Sequence, residues 1–225
     1  MARILEMTGT KQVNIHLILP QESFPEIPAE SLDRQTVEQV IERMVVDVAG
    51  AVERWGEQRV IVELGYAESG HVKAAILPEV AQRVTAETGC GFLLDVSHAR
   101  LAALELGMQP QAYIEMLPLD RLCEMHITGT HLMVGELAEW LRKTESGRKM
   151  LSHFEGYWMD HLPLQEHDWD LFRWSMDQVH DGKWATPDLV SFEYGGVRGF
   201  WEEYVEMDVL RDQVPQLYAL VHNHH

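Results

Sequence analysis

The stretch LLDVSHARL, residues 93–101, ends an apolar run on Asp95 and sets His98 three residues later, where a helical pattern begins. A strand that only packs has no use for a carboxylate and an imidazole at its end. The same feature recurs along the chain. Glu63 closes the run in VELGY, His126 lies in EMHITG, and Glu193 lies in SFEYGG. Asp160 and His161, in WMDHLPLQEHDW, fall between the last two of these runs, and His16 sits within NIHLIL. Gathered at one place, these carboxylates would resist joint ionisation unless a cation neutralised them. Mixed carboxylate and imidazole donors suit Fe, Mn, Co or Zn rather than Ca or Mg. The expected chemistry is therefore that of a divalent metal. His98 and Glu193 are the candidates for a catalytic role, and no catalytic residue is assigned outright.

Each residue taken alone has a plainer explanation. Glu63 can serve a strand-end ion pair. Asp95 can cap the helix that follows it, and Asp168, beside His167, can cap the helix over 168–180. His126 can be a core histidine with its hydrogen bonds satisfied, and Glu193 can pair with Arg198. His131, His153 and His180 carry no assignment. What favours a metal is repetition, because four successive strands end in a ligand-type residue.

The elements that must position these residues follow a regular rhythm. VNIHLIL (13–19), RVIVELGY (59–66), GFLLDV (91–96), LCEMHIT (122–128) and LVSFEY (189–194) are short and continuously apolar, as parallel strands covered on both faces are. Between them come helical patterns over 34–54, 78–88, 100–107, 110–116, 135–144, 168–180 and 205–221. Strand–helix alternation predicts an α/β fold with a parallel sheet. In such barrels the chemistry collects at the C-terminal ends of the strands. One domain spanning 1–225 is expected, with a long loop and helix insertion at about 129–160. No glycine-rich nucleotide motif is present.

Composition narrows the functional classes. Hydrophobic residues make up 46% and charged residues 24% of the 225 residues, an ordinary globular balance. A formal net charge of −18 disfavours nucleic-acid backbones. No apolar run is long enough to span a membrane, and MARILEMTGTK does not read as a signal peptide. Cys90 and Cys123 read as buried free thiols of a cytoplasmic protein. The closing HNHH (222–225) is set aside as a natural end or a tag remnant.

The order Glu63, Asp95-x-x-His98, His126, Glu193 resembles the xylose-isomerase-like TIM barrels. These include sugar isomerases and epimerases, endonuclease IV, and a family of multinuclear non-haem iron proteins that oxidatively modify cysteines of ribosomal peptides, as in methanobactin biosynthesis. FLLDVSH (92–98), AYIEMLPLDRLCEMHITGTH (112–131) and WMDHLPLQEHDWDLFRWSM (158–176) are most similar to the iron family, and the resemblance covers roughly residues 55–200. It implies a (β/α) barrel, a site holding iron most readily, with Mn or Zn as alternatives, and ligands drawn from Glu63, Asp95, His98, His126, Asp160, His161, Glu193 and His16. It also implies a small-molecule or peptide substrate and a protein that presents it.

Several positions depart from the family pattern. Asp160 and His161 are adjacent rather than separated by one residue, and His98 stands where the family often has Asn. His131 lies one position further from His126 than the pattern has it. Of the early-strand histidines only His16 remains. The first two strands of a full barrel are largely missing, and RILEM (3–7) is expected to form an arm. An incomplete or distorted barrel of about six strands follows, with its open edge covered in a homodimer. Three functions stay open at this point: an iron-dependent peptide or thiol oxidase, a single-metal sugar isomerase or epimerase, and a non-catalytic metal-binding or interaction scaffold.

Overall fold

A computed structural model describes Met7 and residues 9–66, 70–196 and 200–222. Among these, seven strands and nine α-helices form. The strands are β1 (Val13–Leu17), β2 (Val60–Leu64), β3 (Gly91–Asp95), β4 (Leu122–Ile127), β5 (Gly129–Leu132), β6 (Trp158–Leu162) and β7 (Leu189–Phe192). The helices are α1 (Arg34–Trp55), α2 (Pro78–Thr88), α3 (Val96–Glu105), α4 (Pro110–Ile114), α5 (Gly135–Leu141), α6 (Glu145–Phe154), α7 (Glu166–His180), α8 (Phe200–Tyr204) and α9 (Met207–His222).

Five strands make one parallel sheet in the order β1-β2-β3-β4-β7. This is the α/β arrangement of an incomplete TIM-barrel-like fold. β2 is buried along its whole length, VIVEL, because helices cover it. Parallel strands occur almost only in such settings. α1 turns Val37, Val40, Ile41, Met44 and Val48 onto the sheet at helical spacing. Its start is set by Asp33, whose side chain accepts from the Thr36 amide at 2.8 Å.

The parallel sheet holds five strands, against about six expected of an incomplete barrel. β6 does not join the parallel sheet; it pairs antiparallel with β5 in a separate two-stranded ribbon. The segment between them holds two helices, α5 and α6, rather than one. Met133, Ala138, Leu141, Leu151, Met159 and Leu162 pack there into a second apolar cluster, joined by Phe200. The ribbon needs a glycine at its base. A Cβ at Gly129 would lie 2.0 Å from the Pro163 carbonyl oxygen.

Two helix starts also differ from the sequence pattern. α3 begins at Val96 rather than 100, because Asp95 caps it directly. The cap of α7 is Gln165, not Asp168. Asp168 stands at the third helical position and its side chain accepts from the Gln165 amide, completing a capping box. Most of the RILEM arm, Arg198, and the last three residues of HNHH lie outside the described residues.

Candidate metal centre

Parallel register places the candidate side chains next to one another. His16 on β1 is paired with Glu63 on β2, and Asp95 on β3 is paired with His126 on β4. His98 enters from the first turn of α3, and Glu193 follows the end of β7. Glu63, Asp95, His98 and His126 are all buried.

Two groups of three donors form. His16, Glu63 and His98 each bring one ligand atom within 4.8 Å of the others, and so do Glu63, Asp95 and His126. Glu63 belongs to both. Its Oε2 accepts from the Asn14 amide nitrogen at 2.6 Å and lies 3.3 Å from His16 Nε2. Its Oε1 lies 2.9 Å from His98 Nδ1. That contact lacks hydrogen-bond alignment, so both atoms remain without a hydrogen-bond partner.

The same holds elsewhere in the cluster. Asp95 Oδ1 accepts from the amides of Ser97 and His98 at 2.7 and 2.8 Å, which is the helix cap. Asp95 Oδ2 has no hydrogen-bond partner. His126 Nδ1 lies 3.1 Å from Glu193 Oε1, again without hydrogen-bond alignment. Four buried polar atoms, Glu63 Oε1, Asp95 Oδ2, His98 Nδ1 and His126 Nδ1, are thus left without hydrogen bonds in one place. Buried polar atoms are rarely left so, and an ion is one accepted reason. Their chemistry, carboxylate oxygen and imidazole nitrogen, fits a divalent transition metal.

The far nitrogen of each buried imidazole is occupied. His98 Nε2 lies 3.0 Å from Asp160 Oδ2, and His126 Nε2 lies 2.8 Å from Glu124 Oε1. His161 lies at the rim, with Nδ1 3.2 Å from the Glu193 carbonyl oxygen and Nε2 3.9 Å from Asp160 Oδ2. Its φ is 59°, the one positive value at a described non-glycine residue. Backbone strain of this kind collects at functional sites.

The charges are tightly balanced. Burial opposes ionisation of Glu63, but the nearby His98 and His16 outweigh it and hold its carboxyl below the usual range. Asp95 is pushed up, by burial first and by Glu63 as well. Burial works against a charged His98, yet Asp95, Asp160 and Glu63 raise it well above an ordinary histidine. His126 is pushed up to about 9, with Glu193 and Glu124 overcoming burial. Asp160 is held low by His98 against burial. Glu193 is held low by His126.

The structure therefore brings together Glu63, Asp95, His98 and His126, with His16 and Glu193 at the edges. Asp160 stands behind His98, and His161 reaches the cluster through Asp160 and Glu193. His131 lies elsewhere, its Nε2 donating to the Pro163 carbonyl at 2.7 Å. His167 contacts Thr130, and His180 contacts the Val221 carbonyl. Sequence reasoning missed Asn14 and Glu124. Each lies two residues before a candidate histidine on the same strand face, a spacing that could have flagged both.

A family profile described as RiPP precursor modification enzyme MbnB/TglH/ChrH matches residues 32–180. That span includes every candidate except His16 and Glu193. A UPF0276 protein of Bordetella pertussis is 30% identical over 111 residues, covering 48% of this chain and 32% of the relative. A UPF0276 protein of Caulobacter sp. (strain K31) is 37% identical over 96 residues, covering 43% and 29%. The chain thus matches about a third of the length of these curated relatives.

Proposed function

The chain belongs to the RiPP precursor modification enzyme MbnB/TglH/ChrH family, and from that premise we propose that it is an iron-dependent enzyme that oxidatively modifies a small ribosomally made peptide at a thiol. The observation that carries the metal is the set of four buried donor atoms without hydrogen bonds on Glu63, Asp95, His98 and His126. Asp95, His126 and Glu63 would hold one ion and His16, His98 and Glu63 a second, with Glu63 common to both. Manganese or zinc are the alternative occupants. Iron bound there supplies the one-electron chemistry and the O2 activation that oxidation of a thiol needs.

The chain's own residues divide the remaining work. Asn14 holds Glu63 by a hydrogen bond to one of its oxygens. Asp160 and Glu124 hold the two imidazoles in register. His161 and Glu193, each about a third exposed, would be open to a bound peptide, and there they can orient it and move a proton. The peptide would be presented by a partner protein, and the enzyme would act in the cytoplasm as a homodimer. Among the described residues no helix is long and apolar enough to cross a membrane.

A single-metal sugar isomerase would use Glu63 and Glu193 to shuttle a proton. Glu63 fits that task poorly, because it is 1% exposed and surrounded by Asn14, His16 and His98.

Metal analysis of the anaerobically purified protein tests the proposal, alongside Asp95→Ala and His126→Ala. Two or more irons per chain, lost in both variants, are expected. One Mn or other single ion would favour the isomerase. No metal after reconstitution would overturn the site and leave a scaffold.

A further inference from the structure

Beside the cluster lies a cavity of about 560 Å³, between α3 and the segment that links α6 to β6. Leu101 and Leu104 line one wall, and Phe154, Tyr157 and Trp158 line the other. Its size is that of a small-ligand pocket, well beyond the needs of an ion or a few waters.

Two contacts join this cavity to the candidate metal centre. Tyr66 lines it, and the Tyr66 ring lies 5.3 Å, centroid to centroid, from the ring of His98. Trp158 lines it and sits two residues before Asp160, whose carboxylate meets His98. Trp158 is held in place by a cation. The Arg100 guanidinium lies 4.5 Å over its ring and donates to Thr130 Oγ1 at 2.9 Å. The Trp158 part of the wall is therefore preformed.

The cavity carries little charge to offer. Among its described lining residues Glu105 is the one carboxylate and His153 the one imidazole, and no lysine or arginine is present. Glu105 is already paired with Lys73 at 2.6 Å. In a chain of net charge −18, this is a mostly apolar and aromatic recess at the edge of an acidic cluster. An entering cation would lose its hydration and find the one carboxylate already paired, and an entering anion would find His153 alone, whereas an apolar side chain gains by burial against the apolar and aromatic walls. Aromatic rings gain further from edge-to-face contact with Tyr66, Tyr157 and Trp158.

We propose that this cavity is a specificity subsite that takes an aromatic side chain of the peptide, close in sequence to the residue that reacts at the metal centre. The proposal rests on the reading that the substrate is a peptide. Tyr66 is then the residue that both the bound side chain and the metal ligand His98 touch, which sets the distance between the recognised and the reacting residue.

The test compares binding of two probes, acetyl-Phe-Gly-Cys-Gly-amide and acetyl-Gly-Gly-Cys-Gly-amide, to the purified metal-loaded chain by calorimetry. Binding of the phenylalanine peptide tighter by about tenfold or more is expected, the factor that burying one such side chain supplies. Leu104→Trp and Ser152→Trp fill the cavity from opposite walls. Leu104 is 42% exposed and the Ser152 hydroxyl is also exposed, so neither change disturbs a packed core. Both variants should abolish the preference while keeping full metal content. Equal binding of the two probes, no binding of either, or a preference that survives in both filled variants would overturn the subsite. Absence of metal would instead overturn the enzymatic reading. A phenylalanine preference lost in the filled variants of a metal-free chain would leave the subsite standing.

Discussion

Asp160 Oδ2 lies 3.0 Å from His98 Nε2, on the side of the imidazole away from Nδ1 and Glu63. The carboxylate thus faces the back of a candidate ligand rather than the space the ligand faces. Such outer carboxylates fix the tautomer and orientation of a metal-binding histidine, and their loss lowers metal affinity by about 10–100-fold. Asp160→Asn should weaken metal binding within that range and leave the fold intact. Competition with a chelator of known affinity measures it. Complete loss of one ion from an otherwise unchanged protein would show instead that Asp160 is itself a ligand.

The metal-free protein should lose stability toward alkaline pH. His126 is pushed up to about 9 in the fold by Glu193 and Glu124, against the effect of burial, while an unfolded histidine titrates near ~6.5. A folded value above the unfolded one contributes stability that is complete below the lower value and disappears as pH rises through the higher one. Thermal melts in excess chelator should fall between pH 7 and pH 10, and His126→Gln should shrink that fall. An unchanged slope in the variant would remove His126 as its source.

The β5–β6 ribbon is tied to α7 through one buried carboxylate. Asp168, 1% exposed, accepts from the Thr130 hydroxyl at 2.7 Å, the Thr130 amide at 3.1 Å and the Gln165 amide at 2.9 Å. Asp168→Ala strands these donors, each at a cost of about 1–3 kcal/mol. The variant should lose at least ~2 kcal/mol in urea unfolding. Gly129→Ala should also destabilise, because its Cβ meets backbone that cannot move aside cheaply. Wild-type stability in both would mean that the ribbon is not held this way.

Both thiols should be slow to react. Cys90 is fully buried, and burial raises its pKa and that of Cys123. Less thiolate means less nucleophile. A thiol-reactive dye at pH 8 should label Cys90 only after denaturation and Cys123 slowly in the native protein. Rapid labelling of Cys90 in the folded chain would contradict the packing at the start of β3.

The sequence by itself determined the parallel strands, most helices and the residue types at the strand ends. These are written in local pattern: continuous apolar runs for strands covered on both faces, helical spacing such as Val37, Val40, Ile41, Met44, and polar residues where a run stops. Capping was legible less well, because Asp95 and Asp168 look alike in sequence, and only the turn that each actually joins separates cap from third position. Pairing was not legible at all. Nothing local says that Trp158–Leu162 turns away from the parallel sheet to pair with Gly129–Leu132, since that choice depends on residues some thirty positions apart and on the tight approach at Gly129. For the same reason the sequence could propose eight site residues without ranking them. Register across β1 to β4 decided which donors converge without hydrogen bonds, and the placement of the ribbon decided that Asp160 stands behind His98.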